Sequence, residues 1–249
     1  MSDAHRADTK AAPLDPAGRQ RIAGILFDKD GTLLDYAKSW VPINYELGRR
    51  AARGDEALAR TILAETGMDP DTGYVTPDSL LAAGNTVEIA EGMIAAGSPL
   101  SLADLTIAFD NLFAMAADYS TPVTDLGAFF AGLKAAGYRL GVASSDNERS
   151  IRETARRFGF TDCLDFVAGY DSGYGIKPEP GMVLGFCAAT GLDPRQVAVV
   201  GDNNHDLHMG RAAGVGLTVA VLTGTGSPQS LAAAADHVLA DITELHRVL

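Results

Sequence analysis

Two aspartates stand one residue apart in the segment Phe27–Asp35, FDKDGTLLD, where an apolar run over Ile22–Asp28 ends and Gly31 can turn the chain. Carboxylates so close repel each other unless a cation or a shared proton holds them. Hard oxygen ligands suit Mg²⁺. A carboxylate pair also allows one member to act as nucleophile and the other as general acid/base. An acidic turn after a strand can equally be structural, so Asp28 and Asp30 need partners to carry chemistry.

Candidate partners recur along the chain. Asp202 ends a second apolar run, Gln196–Asp202 (QVAVVGD), and Asp206 follows at a predicted helix start. Acids there ligate a metal or cap the helix; metal ligation is expected of Asp202, capping or loop ordering of Asp206. Ser144 closes the segment Tyr138–Ser144, and Ser145 follows it before Asp146. Hydroxyls and backbone amides leading into a helix can accept a phosphate, or simply cap the helix. Lys177, in IKPEP (Ile176–Pro180), is the only lysine between Lys134 and the C-terminus. A cation in a rigid loop can neutralise charge on a transferring phosphoryl group; a solvated lysine is the plain alternative.

The elements that must position these groups follow from the apolar pattern. Short runs at Ile22–Asp28, Tyr138–Ser144, Gln196–Asp202 and Leu217–Leu222, with a weaker one at Leu164–Tyr170, read as strands buried on both faces. Helical patterns lie between them at Leu126–Ala136, Glu148–Phe158, Gly181–Thr190 and Asp206–Ala213, with Pro228–Ala235 and Ile242–Val248 after the last strand. That alternation predicts an α/β fold, a Rossmann-like doubly wound parallel sheet. The 86 residues from Tyr36 to Thr121 contain no convincing strand and read as four or five helices inserted after the first strand. Residues 22–35 and 122–249 then form the core, 36–121 an all-α insert, and 1–21 a loose tail. The four candidate groups all fall at or just beyond C-terminal strand ends, where open α/β sheets place ligands.

Composition narrows the partners. The 249 residues carry a net charge of −12, and 47% are hydrophobic. This is a globular composition that argues against nucleic acid, whose phosphates demand a Lys/Arg footprint, and against anionic lipid. A small phosphorylated metabolite stays compatible, because a local field can oppose the global charge. Within the insert, Lys38, Arg49, Arg50 and Arg53 make a basic start, whereas from Gly54 to Thr121 one base, Arg60, faces eleven acids. Cys163 and Cys187 lack metal or redox spacing and read as reduced thiols. With no apolar leader and no membrane-length run, the expectation is a cytoplasmic protein; nothing in the sequence sets an oligomeric state.

In motif order the chain resembles the haloacid dehalogenase-like superfamily, in its phosphatase branch, with the insert similar to that family's type-1 helical cap. The resemblance implies a Mg²⁺-dependent phosphatase acting on a small phosphate monoester, phosphoglycolate-like by layout, through an aspartyl-phosphate. It implies Asp28 as nucleophile and Asp30 as acid/base. Ser144, with Ser145, and Lys177 would bind the phosphoryl group. Asp202 would hold Mg²⁺ with the Asp28 side chain and the Asp30 main-chain carbonyl, Gly31 and Asp206 supporting them. The second aspartate disfavours dehalogenation, since a leaving halide needs no proton. A phosphotransferase or sugar-phosphate mutase on the same core, and a non-catalytic phosphate-dependent binding module, are the alternatives.

Two residues depart from the commonest family pattern. Lys29 occupies a position that is often apolar and is expected to point to solvent if the backbone stays extended. Tyr36 heads into the insert, at the hinge or the pocket wall. His205 and His208, spaced for one helical face, are expected on the surface or in packing. Lys38, Trp40, Asn44 and Tyr45 are the candidates to contact substrate.

Overall fold

The computed structural model describes residues 21–116 and 118–249; the expected N-terminal tail lies outside the described residues but for Arg21. Six parallel strands form one sheet in the order β3-β2-β1-β4-β5-β6. They are β1 (Gly24–Phe27), β2 (Arg139–Ala143), β3 (Phe166–Ala168), β4 (Val197–Gly201), β5 (Leu217–Val221) and β6 (His237–Leu239). β1 pairs with β2 on one side and β4 on the other, so the chain's direction of travel across the sheet reverses beside β1.

Strand alternation sends side chains to two apolar layers. Ile25 and Phe27, with Leu140, Val142, Ala198 and Val200, pack against α6 (Leu126–Ala135), α7 (Glu148–Arg157) and the C-terminal segment. Leu26, Ala143, Val197 and Val199 pack against α8 (Gly181–Thr190) and α9 (Asn204–Ala213) on the opposite face. Near the far edge, Ala220 of β5 meets Leu207 of α9 and Leu231 of α10 (Pro228–Ala234). The sheet is therefore doubly wound, as the apolar runs predict.

Three elements differ from expectation. β3 spans three residues, Phe166–Ala168, rather than the whole run Leu164–Tyr170, and a 3₁₀ turn at Thr161–Cys163 precedes it. β6 is an edge strand too short to announce itself as an apolar run. The segment expected to be a closing helix, Ile242–Val248, is a 3₁₀ helix over Ile242–Arg247.

The inserted segment folds as α1 (Tyr36–Ala51), α2 (Glu56–Thr66), α3 (Leu80–Ala83), α4 (Thr86–Ala95) and α5 (Leu102–Ala116). Local caps fix several of their starts. Asp35 accepts from Lys38 N ahead of α1, and Asn85 and Glu88 form a reciprocal capping box on α4. These helices share an apolar cluster of their own, including Leu47, Ile62, Met93 and Phe109. The two chain crossings lie side by side: Asp35 N donates to Thr121 O at 2.9 Å, and Thr121 N to Ser39 Oγ at 3.0 Å. No helix among the described residues is long and apolar enough to cross a membrane.

Candidate active site

The parallel register carries Asp28 and Asp202 to the same sheet edge, one residue beyond the ends of β1 and β4. Asp28 N still bonds the Val200 carbonyl at 2.8 Å, so the first acid leaves the sheet from a fixed point. The chain then turns through Gly31, whose φ of +87° is a conformation that favours glycine. A Cβ on Gly31 would lie 2.5 Å from the Asp202 carboxyl carbon, so glycine also lets this turn approach the acid. Asp202 is held from beyond β5 by Thr225 N, which donates to its Oδ2 at 2.8 Å.

Lys177 joins the strand ends. Its buried ammonium donates to Asp28 Oδ1 and to Asp206 Oδ1, both at 2.6 Å. Burial works against that charge, but the carboxylates of Asp206 and Asp28 outweigh it and hold the ammonium above its ordinary range. Asp206 does two things at once: Asn203 N donates to its Oδ2 at 3.2 Å in a capping box on α9, while Oδ1 faces Lys177. One carboxylate oxygen each from Asp28, Asp202 and Asp206 lies within 4.8 Å of the others, all three residues being buried. Burial, then the neighbouring charges of Asp28 and Asp206, pushes Asp202 well above the usual carboxylate range. Such a crowd of buried, hard oxygen donors fits a divalent cation such as Mg²⁺.

Lys29 is the clearest correction to the sequence reading: it is only 2% exposed, not in solvent. The backbone does not stay extended there. Leu33 N and Leu34 N both donate to the Lys29 carbonyl, so a tight turn directs the side chain inward. Its ammonium lies 2.7 Å from Asp30 Oδ2, 3.0 Å from Asp146 Oδ2 and 5.5 Å from the Trp40 ring. Burial opposes this charge too, and Asp30 and Asp146 more than offset it. Asp30 itself is pushed up to about 6, by burial first, with Lys29 pulling the other way. Its Oδ1 is buried without a hydrogen-bond partner.

Ser144 and Ser145 follow β2 at the same edge and, with Asp28, Asp30, Lys177, Asp202 and Asp206, line one cavity. Ser144 Oγ accepts from Asp146 N at 3.1 Å. The opposite wall comes from the insert. Tyr36 is part of it, its hydroxyl donating to the Leu81 carbonyl and accepting from Asn44 Nδ2 at 3.4 Å. Of the four substrate-contact candidates only Trp40 lines the cavity. Lys38 is exposed and pairs with Asp35 at 2.6 Å, Tyr45 Oη donates to the Pro70 carbonyl, and Asn44 supports Tyr36. The rest of the wall, residues 81–84 with Thr86, Ile89 and Phe113, was not singled out by sequence. His205 is half-buried and lines the cavity, whereas His208 is exposed, so the two do not act as a pair. Burial lowers the His205 pKa and favours the neutral ring.

A family model described as haloacid dehalogenase-like hydrolase matches residues 22–214. Among curated proteins, the chain is similar to an N-acetylmuramic acid 6-phosphate phosphatase of Pseudomonas aeruginosa, 28% identical over 221 residues, covering 85% of this chain and 86% of that protein. It is also similar to a phosphoglycolate phosphatase of Psychrobacter arcticus, 25% identical over 194 residues, covering 76% and 79%. Among solved structures, a predicted phosphoglycolate phosphatase of Haemophilus somnus superposes with a TM-score of 0.70 at 19% identity, covering 91% of this chain and 97% of that one. A putative β-phosphoglucomutase of Thermotoga maritima gives 0.63 at 20% identity, covering 92% and 100%. At those identities the structural likeness is one of fold.

Proposed function

The chain belongs to the haloacid dehalogenase-like hydrolases, and on that premise we propose that it is a Mg²⁺-dependent phosphatase hydrolysing a small phosphate monoester through an aspartyl-phosphate. The observation that carries this reading is the convergence of Asp28, Lys177, Asp202 and Asp206 on one buried sheet edge, with Asp30 beside them. Residues 22–35 and 122–249 serve as the catalytic core, and 36–121 as a cap over its edge.

In this reading an Asp28 carboxylate oxygen attacks phosphorus, and the ester P–O bond breaks. Asp30, whose raised pKa of about 6 leaves a protonated fraction available near neutrality, gives its proton to the departing alkoxide. Asp30 then takes a proton from water, whose oxygen attacks the same phosphorus and returns Asp28 as a carboxylate. Ser144, Ser145 and Lys177 bind the phosphoryl oxygens. The Asp28 and Asp202 side chains and the Asp30 carbonyl would hold Mg²⁺, supported by Asp206 and by the close approach Gly31 permits. When bound, the ion neutralises charge on phosphoryl oxygens. Phosphoryl transfer depends mainly on such positioning and charge neutralisation.

The test is phosphate release from p-nitrophenyl phosphate and a panel of phosphorylated metabolites in Mg²⁺. Turnover should vanish in EDTA and in a folded Asp28→Asn variant. Isomer formation without phosphate release would assign a phosphotransferase instead. No turnover of any ester would overturn the enzymatic reading.

A further inference from the structure

The walls of the cavity differ sharply in charge. The sheet edge supplies five carboxylates, Asp28, Asp30, Asp146, Asp202 and Asp206, and a single lysine, Lys177. Every residue the insert contributes is uncharged, among them Trp40, Leu81, Ala82, Thr86, Ile89 and Phe113. Lys177 is already shared between Asp28 and Asp206, and Lys29, just behind the wall, between Asp30 and Asp146. The basic start of the insert does not reach the cavity: Lys38 is 67% exposed, and Arg49 and Arg50 pair with Glu46. Among the described residues, then, no uncommitted cation faces the space beyond the phosphoryl site.

From this asymmetry we infer that the leaving group is a neutral alcohol, the deeper identity of the substrate under the phosphatase reading on which the inference rests. A second anionic group on the substrate, a carboxylate or another phosphate, would lie against a largely apolar wall with no counter-ion and sit near several aspartates. Burying an unpaired charge is among the costliest events in a protein interior. A neutral, hydroxylated alcohol meets none of that cost. Its carbon face covers Leu81, Ile89 and Phe113. Trp40, on the same wall, is uncharged as well.

The experiment uses the unmodified protein with Mg²⁺ and pairs of esters that differ only by CH₂OH against carboxylate. Suitable pairs are 2-hydroxyethyl phosphate with 2-phosphoglycolate, glycerol 3-phosphate with 3-phosphoglycerate, and glucose 1-phosphate with glucuronic acid 1-phosphate. The neutral member should show the higher kcat/KM in each pair, by at least about tenfold. Equal or better turnover of the carboxylates overturns the inference and leaves the phosphatase reading intact. Failure to hydrolyse all six esters and p-nitrophenyl phosphate defeats that reading itself. Ala82→Lys, which puts a cation on the half-buried insert wall, should shrink the ratio; an unchanged ratio in the folded variant counts against the electrostatic cause.

Discussion

The Lys29 ammonium holds one oxygen of the Asp30 carboxyl, Oδ2, at 2.7 Å, while the other, Oδ1, is buried without a partner. A carboxyl tethered through one oxygen has lost much of its rotational freedom. In the proposed reaction, the free oxygen is the one left to carry the proton. The same lysine reaches Asp146 and lies over Trp40, linking the sheet edge to the insert.

Lys29→Met should therefore destabilise the fold, by about 3–5 kcal/mol, because it leaves two buried carboxylates without their cation. Urea unfolding of wild type and variant measures it. A loss near zero would mean that water replaces the ammonium and that the lysine holds nothing.

Asp30→Asn should slow hydrolysis of alkyl phosphates by about 10²–10⁴, the usual reach of a general acid. Nitrophenyl phosphate, whose leaving group needs little protonation, should lose much less. Equal losses on both esters would count against the proton-donor role.

Stability of the metal-free protein should respond to pH against the common trend for carboxylates. Asp30 and Asp206 are each raised from 3.8 to about 6 in the folded protein, by burial before any other cause. Between those values the folded state holds more protons than the unfolded one, so stability falls as pH rises through the window. The depressed acids Glu46 and Asp193, both near 2, lose their contribution as pH falls below their unfolded values of 4.5 and 3.8, outside the range from pH 5 to 7. His205, whose lowered pKa works the other way, trims this effect; in EDTA, Tm should still be higher at pH 5 than at pH 7, by an amount worth on the order of 1 kcal/mol. Mg²⁺ should raise Tm more at pH 7, since it competes with those protons. A Tm that drops on acidification from 7 to 5 would contradict this account.

Gly31→Ala and Gly54→Ala form a matched comparison. Both glycines have positive φ, +87° and +85°, but a Cβ at Gly54 meets nothing within 4 Å, whereas at Gly31 it strikes the Asp202 carboxyl at 2.5 Å. Each should lose about 1 kcal/mol to backbone strain. Only Gly31→Ala should also raise the Mg²⁺ concentration needed for half-maximal activity, read by titrating the metal.

The site was more legible in sequence than its surroundings. Strands buried on both faces write themselves as continuous apolar runs, so the ends of β1, β2 and β4, and with them Asp28, Ser144 and Asp202, can be read in one dimension. β6 escaped because three residues at a half-covered edge leave too little pattern. Trp40 could be named as a candidate, but not separated from Lys38 or Tyr45, which follow the same helix outward.

By itself, then, the sequence determined the fold class, the order of the acids along the sheet edge and the presence of a helical insert, because apolar period and turn chemistry are local properties. Tertiary structure alone decided that Lys29 turns inward, that Asp206 both caps α9 and meets Lys177, and that uncharged side chains such as Leu81, Ile89 and Phe113 face the acids. Those choices rest on side-chain direction after a turn and on partners far apart in the chain, Lys29 with Asp146 and Lys177 with Asp28. Close packing selects such pairings only once the sheet has closed.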